Sequence, residues 1–187
     1  KHAHKAIEKG ADGLIAVSAG AGGHAGVKSP FALVQELRQW FDGPLALSGS
    51  ISTGSAILAA QAMGADFAYM GSAFIATEEA RASDAYKQAI VDNDSDEIVY
   101  SNLFTGVHGN YLAPSIRNAG LDPANLPESD PSKMNFGGAS AKAWKDIWGC
   151  GQGIGAITKV QSTADYVAQL KREYADARAQ LLARNYA

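Results

Sequence analysis

A single histidine, His24, lies in a glycine-rich stretch that could support acid–base chemistry. Leu14 to Val17 form a short apolar run, which is typical of a buried strand. The loop that follows, GAGGHAG, has a backbone that can approach a ligand closely because glycine adopts positive φ without steric cost. An imidazole at the end of a strand can act as general base, general acid or hydrogen-bond donor to a developing anion. On these residues alone, a tight turn with a surface histidine explains the pattern equally well.

Glycine and hydroxyl residues also follow two later apolar runs. Ser48-Gly49-Ser50 comes after the run that starts at Leu45, and Tyr69-Met70-Gly71-Ser72 ends the run that starts at Phe67. Backbone N–H groups at such strand ends, together with serine hydroxyls, suit a phosphate. Either stretch alone is explained by the preference of glycine and serine for turns. Their occurrence on successive strands, with His24 after the strand before them, favours an anion site beside the histidine.

Three strand–helix units are predicted to position these residues. After a first helix that ends at Gly10, strands are predicted at residues 13–18, 45–47 and 67–70. Ser29 is a good N-cap for the next helix, and Thr53 for the one after it. A further helix is predicted from about Thr77 to Val91. Alternating strands and helices predict an α/β fold with parallel strands and right-handed crossovers, although three strands make only a small open sheet.

The pattern changes beyond Asp92. A short strand is predicted at residues 98–100, and residues 105–140 are rich in Gly, Pro, Asn and Ser with enough apolar side chains to favour an ordered excursion. Trp144 and Trp148 share one face of a predicted helix before Gly149. A last helix is predicted from about Thr163 to Arg184. Its charged face is interpreted as solvated and comprises Lys171, Arg172, Glu173, Asp176 and Arg178.

Composition narrows the class of protein. The chain has 187 residues, is 47% hydrophobic and carries a formal net charge of −3, which fits a soluble globular domain and gives no reason to expect a nucleic-acid partner. No apolar stretch approaches the roughly 20 residues of a membrane span. The single cysteine, Cys150, excludes an internal disulfide and is interpreted as an inert small residue. With no visible signal peptide, a cytoplasmic location is predicted.

Two kinds of site have little support in the sequence. The four histidines form no ligand cluster with Asp, Glu or Cys at useful spacing, so no metal site is predicted. Gly151-Gln152-Gly153-Ile154-Gly155 superficially resembles a dinucleotide fingerprint, but it lacks the full spacing and an obvious preceding strand. It is interpreted as a tight loop that could line a pocket.

The motifs together resemble the nitronate monooxygenases, formerly called 2-nitropropane dioxygenases. Order and spacing both match, over Ala21-Gly22-Gly23-His24-Ala25-Gly26, Leu47-Ser48-Gly49-Ser50-Ile51, Gly64-Ala65-Asp66 and Tyr69-Met70-Gly71-Ser72-Ala73-Phe74. Residues 98–112 and Gly151-Gln152-Gly153 are also similar to that family. The resemblance covers nearly the whole chain, and the combination is specific although each motif alone is common.

The resemblance implies a (β/α)₈ TIM barrel that binds FMN without a covalent link and oxidises alkyl nitronates with O₂ to a carbonyl compound and nitrite. Residues 1–92 would be the C-terminal portion of the barrel, with its sixth, seventh and eighth strands. Residues 93–160 would form an additional small helical and loop segment covering the active site, and residues 161–187 a C-terminal helix packed on the barrel. The first five strands would lie outside this chain, which agrees with its opening at Lys1 in mid-helix.

The resemblance also assigns roles to residues. His24 matches the catalytic histidine beside the reactive part of the flavin, and Gly22 and Gly23 match backbone contacts to FMN. Ser48-Gly49-Ser50 and Tyr69-Met70-Gly71-Ser72 match the region near the phosphate. The chain departs from the family in two places: the family often has Gly-Gly at Gly49-Ser50, and often a polar flavin contact at Val17.

Two other functions remain open from the sequence. An FMN-dependent enoyl reductase of fatty-acid synthesis shares the Gly-Gly-His loop and would use NADH or NADPH. Alternatively, the chain binds a phosphate ligand or flavin without catalysing a reaction. The sequence does not identify the nitro compound or the oligomeric state.

Overall fold

The structure is a computed structural model that describes residues 1–129 and 146–184. Its helices are α1 (His2–Glu8), α2 (Pro30–Arg38), α3 (Gly54–Ala62), α4 (Ser72–Ile75), α5 (Asp84–Asp92), α6 (Ala113–Asn118) and α7 (Thr163–Ala183). Its strands are β1 (Leu14–Val17), β2 (Gly23–His24), β3 (Leu45–Ser48), β4 (Phe67–Tyr69), β5 (Ile98–Ser101) and β6 (Gly109–Leu112). Short 3₁₀ helices occupy Ser95–Glu97 and Gln152–Ala156. Trp144, half of the predicted tryptophan face, lies outside the described residues.

The first three strand–helix units form a parallel sheet in the order β1-β3-β4, which confirms the predicted α/β fold. Leu14 pairs with Leu45, and Leu47 pairs with Ala68. One face of this sheet packs against helices. Its buried core comprises Ala16, Val34, Leu37, Leu45, Leu47, Ala60 and Ala65, with strand residues facing α2 and α3. Ser29 caps α2 by accepting a hydrogen bond from Ala32 N, as its residue type predicts.

The opposite face of the parallel sheet is uncovered by the described residues. Ile15 and Phe67 lie on this face in one row across the sheet, with 57% and 61% of their surface exposed. Val17 and Tyr69 lie in the next row, with 41% and 55% exposed. Parallel sheets are normally covered on both faces, because crossover helices pack on each side. Among the described residues, this face therefore departs from the usual two-sided covering of a parallel sheet.

A second, antiparallel sheet in the order β2-β6-β5 joins the glycine-rich loop to the segment beyond residue 92. Gly23 pairs with Asn110 and His24 with Gly109, while Ile98 pairs with Leu112. The predicted strand at residues 98–100 is confirmed. The segment predicted to be helical and loop, residues 93–160, also contains the β5–β6 hairpin. Strands β2 and β6 were not predicted because an alternating pattern over so few residues gives no signal. The division of the chain at residues 92 and 160 stays a prediction.

The predicted helix over residues 77–91 is wrong in its first half. The chain forms α4 at residues 72–75, turns, and starts again at α5, which is capped by Ser83. The intervening backbone bonds elsewhere: Thr77 bridges to Gln161, and Glu78 N donates to Gln161 O. Contacts distant in sequence thus take the hydrogen bonds that a continuous helix would use.

Helix α7 packs against α3 through a glycine contact. Glu173 accepts a hydrogen bond of 2.8 Å from Gly54 N, so this residue anchors α7 and the prediction of a solvated Glu173 is wrong. Tyr166 is buried and donates to Ser52 O at 2.8 Å. A Cβ at Gly54 would lie 2.3 Å from both Leu170 O and Tyr174 N, which excludes any side chain at this position.

We expect Gly54→Ala to lower the free energy of unfolding by about 2–3 kcal/mol, because a methyl group would force α3 and α7 apart. Urea unfolding of the chain, followed by circular dichroism, measures the effect. Gly71→Ala is the matched control, since a Cβ at Gly71 meets no atom within 4 Å. Equal destabilisation in the two variants would show that the close α3–α7 contact does not matter.

Candidate active site

The carboxyl ends of β1, β3 and β4 meet around a cavity of about 230 Å³. In parallel sheets of α/β proteins this edge is where ligands bind. The lining residues are Gly20, Ala21, Gly22, Gly23, Ser48, Gly49, Ser50, Ile51, Ser52, Tyr69, Gly71, Ser72, Ile75, Gly149, Gly151 and Gly153. The structure therefore brings together nearly all of the predicted ligand residues from three separate strand ends.

Two glycine stretches form the wall of this cavity by direct backbone contact. A Cβ at Gly22 would lie 2.8 Å from Gly151 N, and one at Gly151 would lie 2.6 Å from Gly20 O. Gln152 N also donates to Gly20 O at 2.9 Å. The 151–155 segment is thus a loop and 3₁₀ helix that lines the pocket, as interpreted from its sequence, and does not follow a strand as a dinucleotide fingerprint would.

Other glycines leave space open to the cavity. Gly71 lies at the end of β4 and Gly23 in β2, and a Cβ at either position would meet no atom within 4 Å. Gly71 also precedes α4, whose first N–H groups have no side-chain cap. The cavity therefore offers backbone donors and unfilled space on the same side.

Buried polar side chains outside the predicted set hold the strand ends in place. Ser18 is fully buried and donates to Ser48 O at 2.8 Å, which ties the end of β1 to the end of β3. Asn110 is also buried, and its side-chain amide donates to Ala21 O at 2.7 Å. Ser72, a predicted ligand residue, accepts a hydrogen bond of 2.9 Å from Gly151 N. Of Ser18 and Asn110, which were not predicted, only Ser18 carried a sequence signal, as a hydroxyl residue directly after the apolar run.

Ser50 has an unusual backbone conformation. Its φ of 56° places it in the left-handed region. Among the described residues, Ser50 is the only one other than glycine that has a positive φ. This conformation is costly for a residue with a Cβ, which explains in physical terms why glycine suits the position. The Ser50 side chain lies close to Gly20: a Cβ on Gly20 would lie 2.1 Å from Ser50 Oγ.

Met70 and Val17 behave differently from the other residues singled out by sequence. Met70 does not line the cavity; its side chain packs against the core cluster that includes Leu112, Ile154 and Tyr166. Val17 belongs to the exposed face of the parallel sheet. A role for Met70 in binding a ligand stays a prediction, and Val17 stays a departure from the polar flavin contact that the family often has.

His24 lies beside the cavity and outside its lining, directly after Gly22 and Gly23. The imidazole is exposed, and its Nε2 lies 3.0 Å from Thr105 Oγ1 in the loop between β5 and β6. The backbone around it is held by the second sheet, where Ala25 N donates to His108 O and Tyr100 donates to Ala25 O. The hairpin thus fixes the position of the histidine relative to the cradle of glycine and serine.

The cysteine near the cavity is structural. Cys150 is fully buried, and burial raises the pKa of its thiol to about 11, so the reactive thiolate is scarce at neutral pH. Burial likewise raises the pKa of Tyr86, whose hydroxyl donates to Gly149 O. The interpretation of Cys150 as an inert residue agrees with these surroundings.

Within residues 1–129 and 146–184, no three His, Cys, Asp or Glu side chains are grouped as a metal site would require. None of the helices there has the length and hydrophobicity needed to cross a membrane. The described residues that line the cavity carry no charged side chain. The groups that these residues offer to an anion are N–H and O–H groups.

The sheet and the cavity at its carboxyl edge define an α/β protein with a candidate ligand site at the ends of parallel strands. The sequence pattern of the nitronate monooxygenase family matches residues 1–173, and the chain belongs to that family. A nitronate monooxygenase of Paraburkholderia phytofirmans is 30% identical over 88% of this chain and 49% of that protein. The chain thus spans about half the length of this curated relative.

Solved structures share the fold. A nitroalkane oxidase from Streptomyces ansochromogenes is 28% identical, with a TM-score of 0.75 over 96% of this chain and 56% of that one. FabK from Thermotoga maritima has a TM-score of 0.75 at 22% identity, over 96% of this chain and 59% of that one. At that identity the likeness to FabK concerns the fold alone.

The strain at Ser50 predicts that glycine stabilises the fold more than alanine at this position, the reverse of the usual order. Both Ser50→Gly and Ser50→Ala remove the hydroxyl, but only glycine relieves the left-handed conformation, which costs other residues about 1–2 kcal/mol. We expect the glycine variant to be the more stable one in urea unfolding of the chain. At ordinary positions alanine is favoured by about 0.4–1 kcal/mol. A more stable alanine variant would show that Ser50 relaxes to negative φ.

Proposed function

We propose that this chain is the C-terminal half of an FMN-dependent nitronate monooxygenase. The observation that carries the proposal is the placement of His24 directly beside a cradle of glycine and serine at the carboxyl ends of three parallel strands. Such a cradle suits the phosphate of a cofactor, and on this proposal the histidine is at the end of the site where a substrate would meet the cofactor. Family membership supports the same reaction.

The donor set suits the phosphate end of FMN. Ser48, Ser50 and Ser72 line one cavity together with several glycines, and hydroxyls and backbone N–H groups of such residues can bind phosphate without cationic side chains. The cavity, at about 230 Å³, is smaller than the roughly 300–1,000 Å³ of complete small-molecule sites. It therefore takes one end of the cofactor, and the space left open at Gly71 and Gly23 gives the backbone close access to it.

The exposed sheet face supports a larger enzyme. Ile15, Val17, Phe67 and Tyr69 form an apolar surface that a complete barrel would enclose. In such a barrel the three strands β1, β3 and β4 are the sixth to eighth, and the remaining strands come from elsewhere in the protein. The greater length of the Paraburkholderia relative agrees with this arrangement.

His24 supplies the acid–base part of the reaction. Its imidazole accepts the proton from the carbon that bears the nitro group, or stabilises a nitronate that is already formed. Bound FMN would supply the redox chemistry, by which the nitronate and O₂ give a carbonyl compound and nitrite.

Nitrite release from an alkyl nitronate tests the proposal. The chain is expressed as part of its longer polypeptide, and His24→Ala is compared with the wild type and with His2→Ala, an exposed histidine on α1. We expect His24→Ala to retain FMN but to lose at least about a hundredfold in nitrite release, as for loss of a general base. The His2→Ala control should keep full activity.

Other outcomes distinguish the remaining functions. Unchanged activity of His24→Ala with FMN bound would contradict the role of the histidine. NADH oxidation driven by an enoyl thioester, without nitrite release from nitronates, would identify an enoyl reductase. A longer polypeptide that binds neither FMN nor a nitronate would contradict both enzymes.

A further inference from the structure

Ser52 is a buried polar residue whose hydroxyl has no hydrogen-bond partner in the described part of the chain. It lies two residues after the cradle residues Ser48-Gly49-Ser50, and 5% of its surface is exposed. The side-chain hydrogen bond that reaches Ser52 ends on its backbone carbonyl. Each of the other buried polar side chains described makes a hydrogen bond; these residues are Ser18, Thr77, Lys87, Ser101, Asn110 and Ser115. A buried hydroxyl without a partner is costly, and a ligand that bonds to it explains its presence.

The Ser52 hydroxyl is in contact with the cavity at the carboxyl edge of the parallel sheet. Ser52 belongs to the residues that line this cavity. Among the described residues, every fully enclosed side-chain nitrogen or oxygen has a hydrogen-bond partner. Because Ser52 Oγ has none, this atom is not fully enclosed, and the open space beside this buried residue is the cavity.

Two segments distant in sequence fix the position of Ser52 without using its hydroxyl. Tyr166 of α7 donates to the Ser52 carbonyl at 2.8 Å. Gly153 packs closely against the same stretch, since a Cβ on Gly153 would lie 2.7 Å from Ser52 Oγ and 2.9 Å from the Ser50 carbonyl carbon. The serine is therefore held in place before a ligand arrives, which lowers the cost of ordering it on binding.

The backbone beside Ser52 also has unused donors. Among the described residues, no acceptor is bonded to the N–H groups of Ser50, Ile51 and Ser52. All three residues line the cavity, to which the described residues contribute no carboxylate. Donors that have no acceptor and face no like-charged competitor suit an anion, and phosphate oxygens accept several hydrogen bonds each.

We infer that Ser52 is a binding residue for a phosphate monoester, to which its hydroxyl donates a hydrogen bond. The oxygens of a phosphate dianion only accept hydrogen bonds, and no acceptor in the described part of the chain is bonded to the Ser52 hydroxyl. The choice of FMN as the phosphate monoester rests on the proposed function. The availability of the hydroxyl at the cavity does not.

An unpartnered hydroxyl and a partnered one respond differently to removal. In the longer polypeptide without flavin, Ser52→Ala should not lower Tm, because the alanine removes a buried polar atom that has no bond to lose. Ser101→Ala is the matched control: Ser101 is also buried, lies outside the cavity lining and accepts a hydrogen bond of 3.1 Å from Leu103 N. That variant should lower Tm, since it leaves the Leu103 N–H without its partner.

Flavin affinity measures the phosphate contact. The flavin-free longer polypeptide is titrated with FMN and with riboflavin, which lacks the phosphate, and flavin fluorescence gives the two dissociation constants. Their ratio, riboflavin to FMN, reports the contribution of the phosphate to binding. We expect Ser52→Ala to reduce this ratio about tenfold, as for the loss of a hydrogen bond to a charged group, and to leave the riboflavin constant unchanged. Ser101→Ala should keep the wild-type ratio.

A second variant keeps the test independent of how well Ser52→Ala folds. Ser52→Cys has a side chain of similar shape, but its thiol is a weak donor, so the ratio should fall there as well. An unchanged ratio in both variants, an equal loss of affinity for both flavins, or a fall in Tm of flavin-free Ser52→Ala as large as that of Ser101→Ala would overturn the inference. A wild type that binds FMN no more tightly than riboflavin would overturn it too.

Nitrite release from an alkyl nitronate, measured on the same preparations, separates this inference from the proposed function. If the ratio depends on Ser52 and no nitrite is released, the proposed reaction is wrong and the phosphate contact stands. If nitrite is released and the ratio is unchanged in the Ser52 variants, the reaction stands and the role of Ser52 is wrong.

Discussion

The site depends on the close approach of two backbones. The glycines at residues 20–23 and those at 149–153 lie so near each other that a Cβ on Gly22 or Gly151 would overlap main-chain atoms. Side chains cannot occupy this boundary, so peptide groups form the cavity wall on that side. This one steric constraint gives the cavity an uncharged backbone wall on that side. The second sheet then places His24 at its rim, because β2 continues directly from the first glycine stretch.

Much of the cradle could be predicted from sequence because its signals are local. Apolar runs that end in glycine and serine identify the strand ends of Ser48 and Ser72, and parallel topology brings those ends to one edge. The N-caps Ser29 and Thr53 could also be predicted, since each side chain accepts a hydrogen bond from a backbone N–H in the first turn of its own helix. Local chemistry and topology were sufficient for these elements.

Contacts between distant segments could not be predicted in this way. Asn110 bonds to Ala21, Thr105 to His24 and Glu173 to Gly54 across long sequence separations. Strand β2 has two residues, too few to show an alternating pattern, and its pairing with β6 is determined by the fold around it. The break between α4 and α5 has the same origin, because Gln161 takes the hydrogen bonds that a helix would have kept.

The uncovered face of the parallel sheet has a consequence for how such a polypeptide is made in a cell. In the part of the chain that the structure describes, β1 and β4 present unpaired edges as well as apolar side chains, and edges of that kind can pair with the strand of another chain. The apolar side chains and strand edges avoid such pairing only when they are covered. In the proposed barrel, the other strands would have to cover this face during folding, before neighbouring chains could aggregate along the same edge.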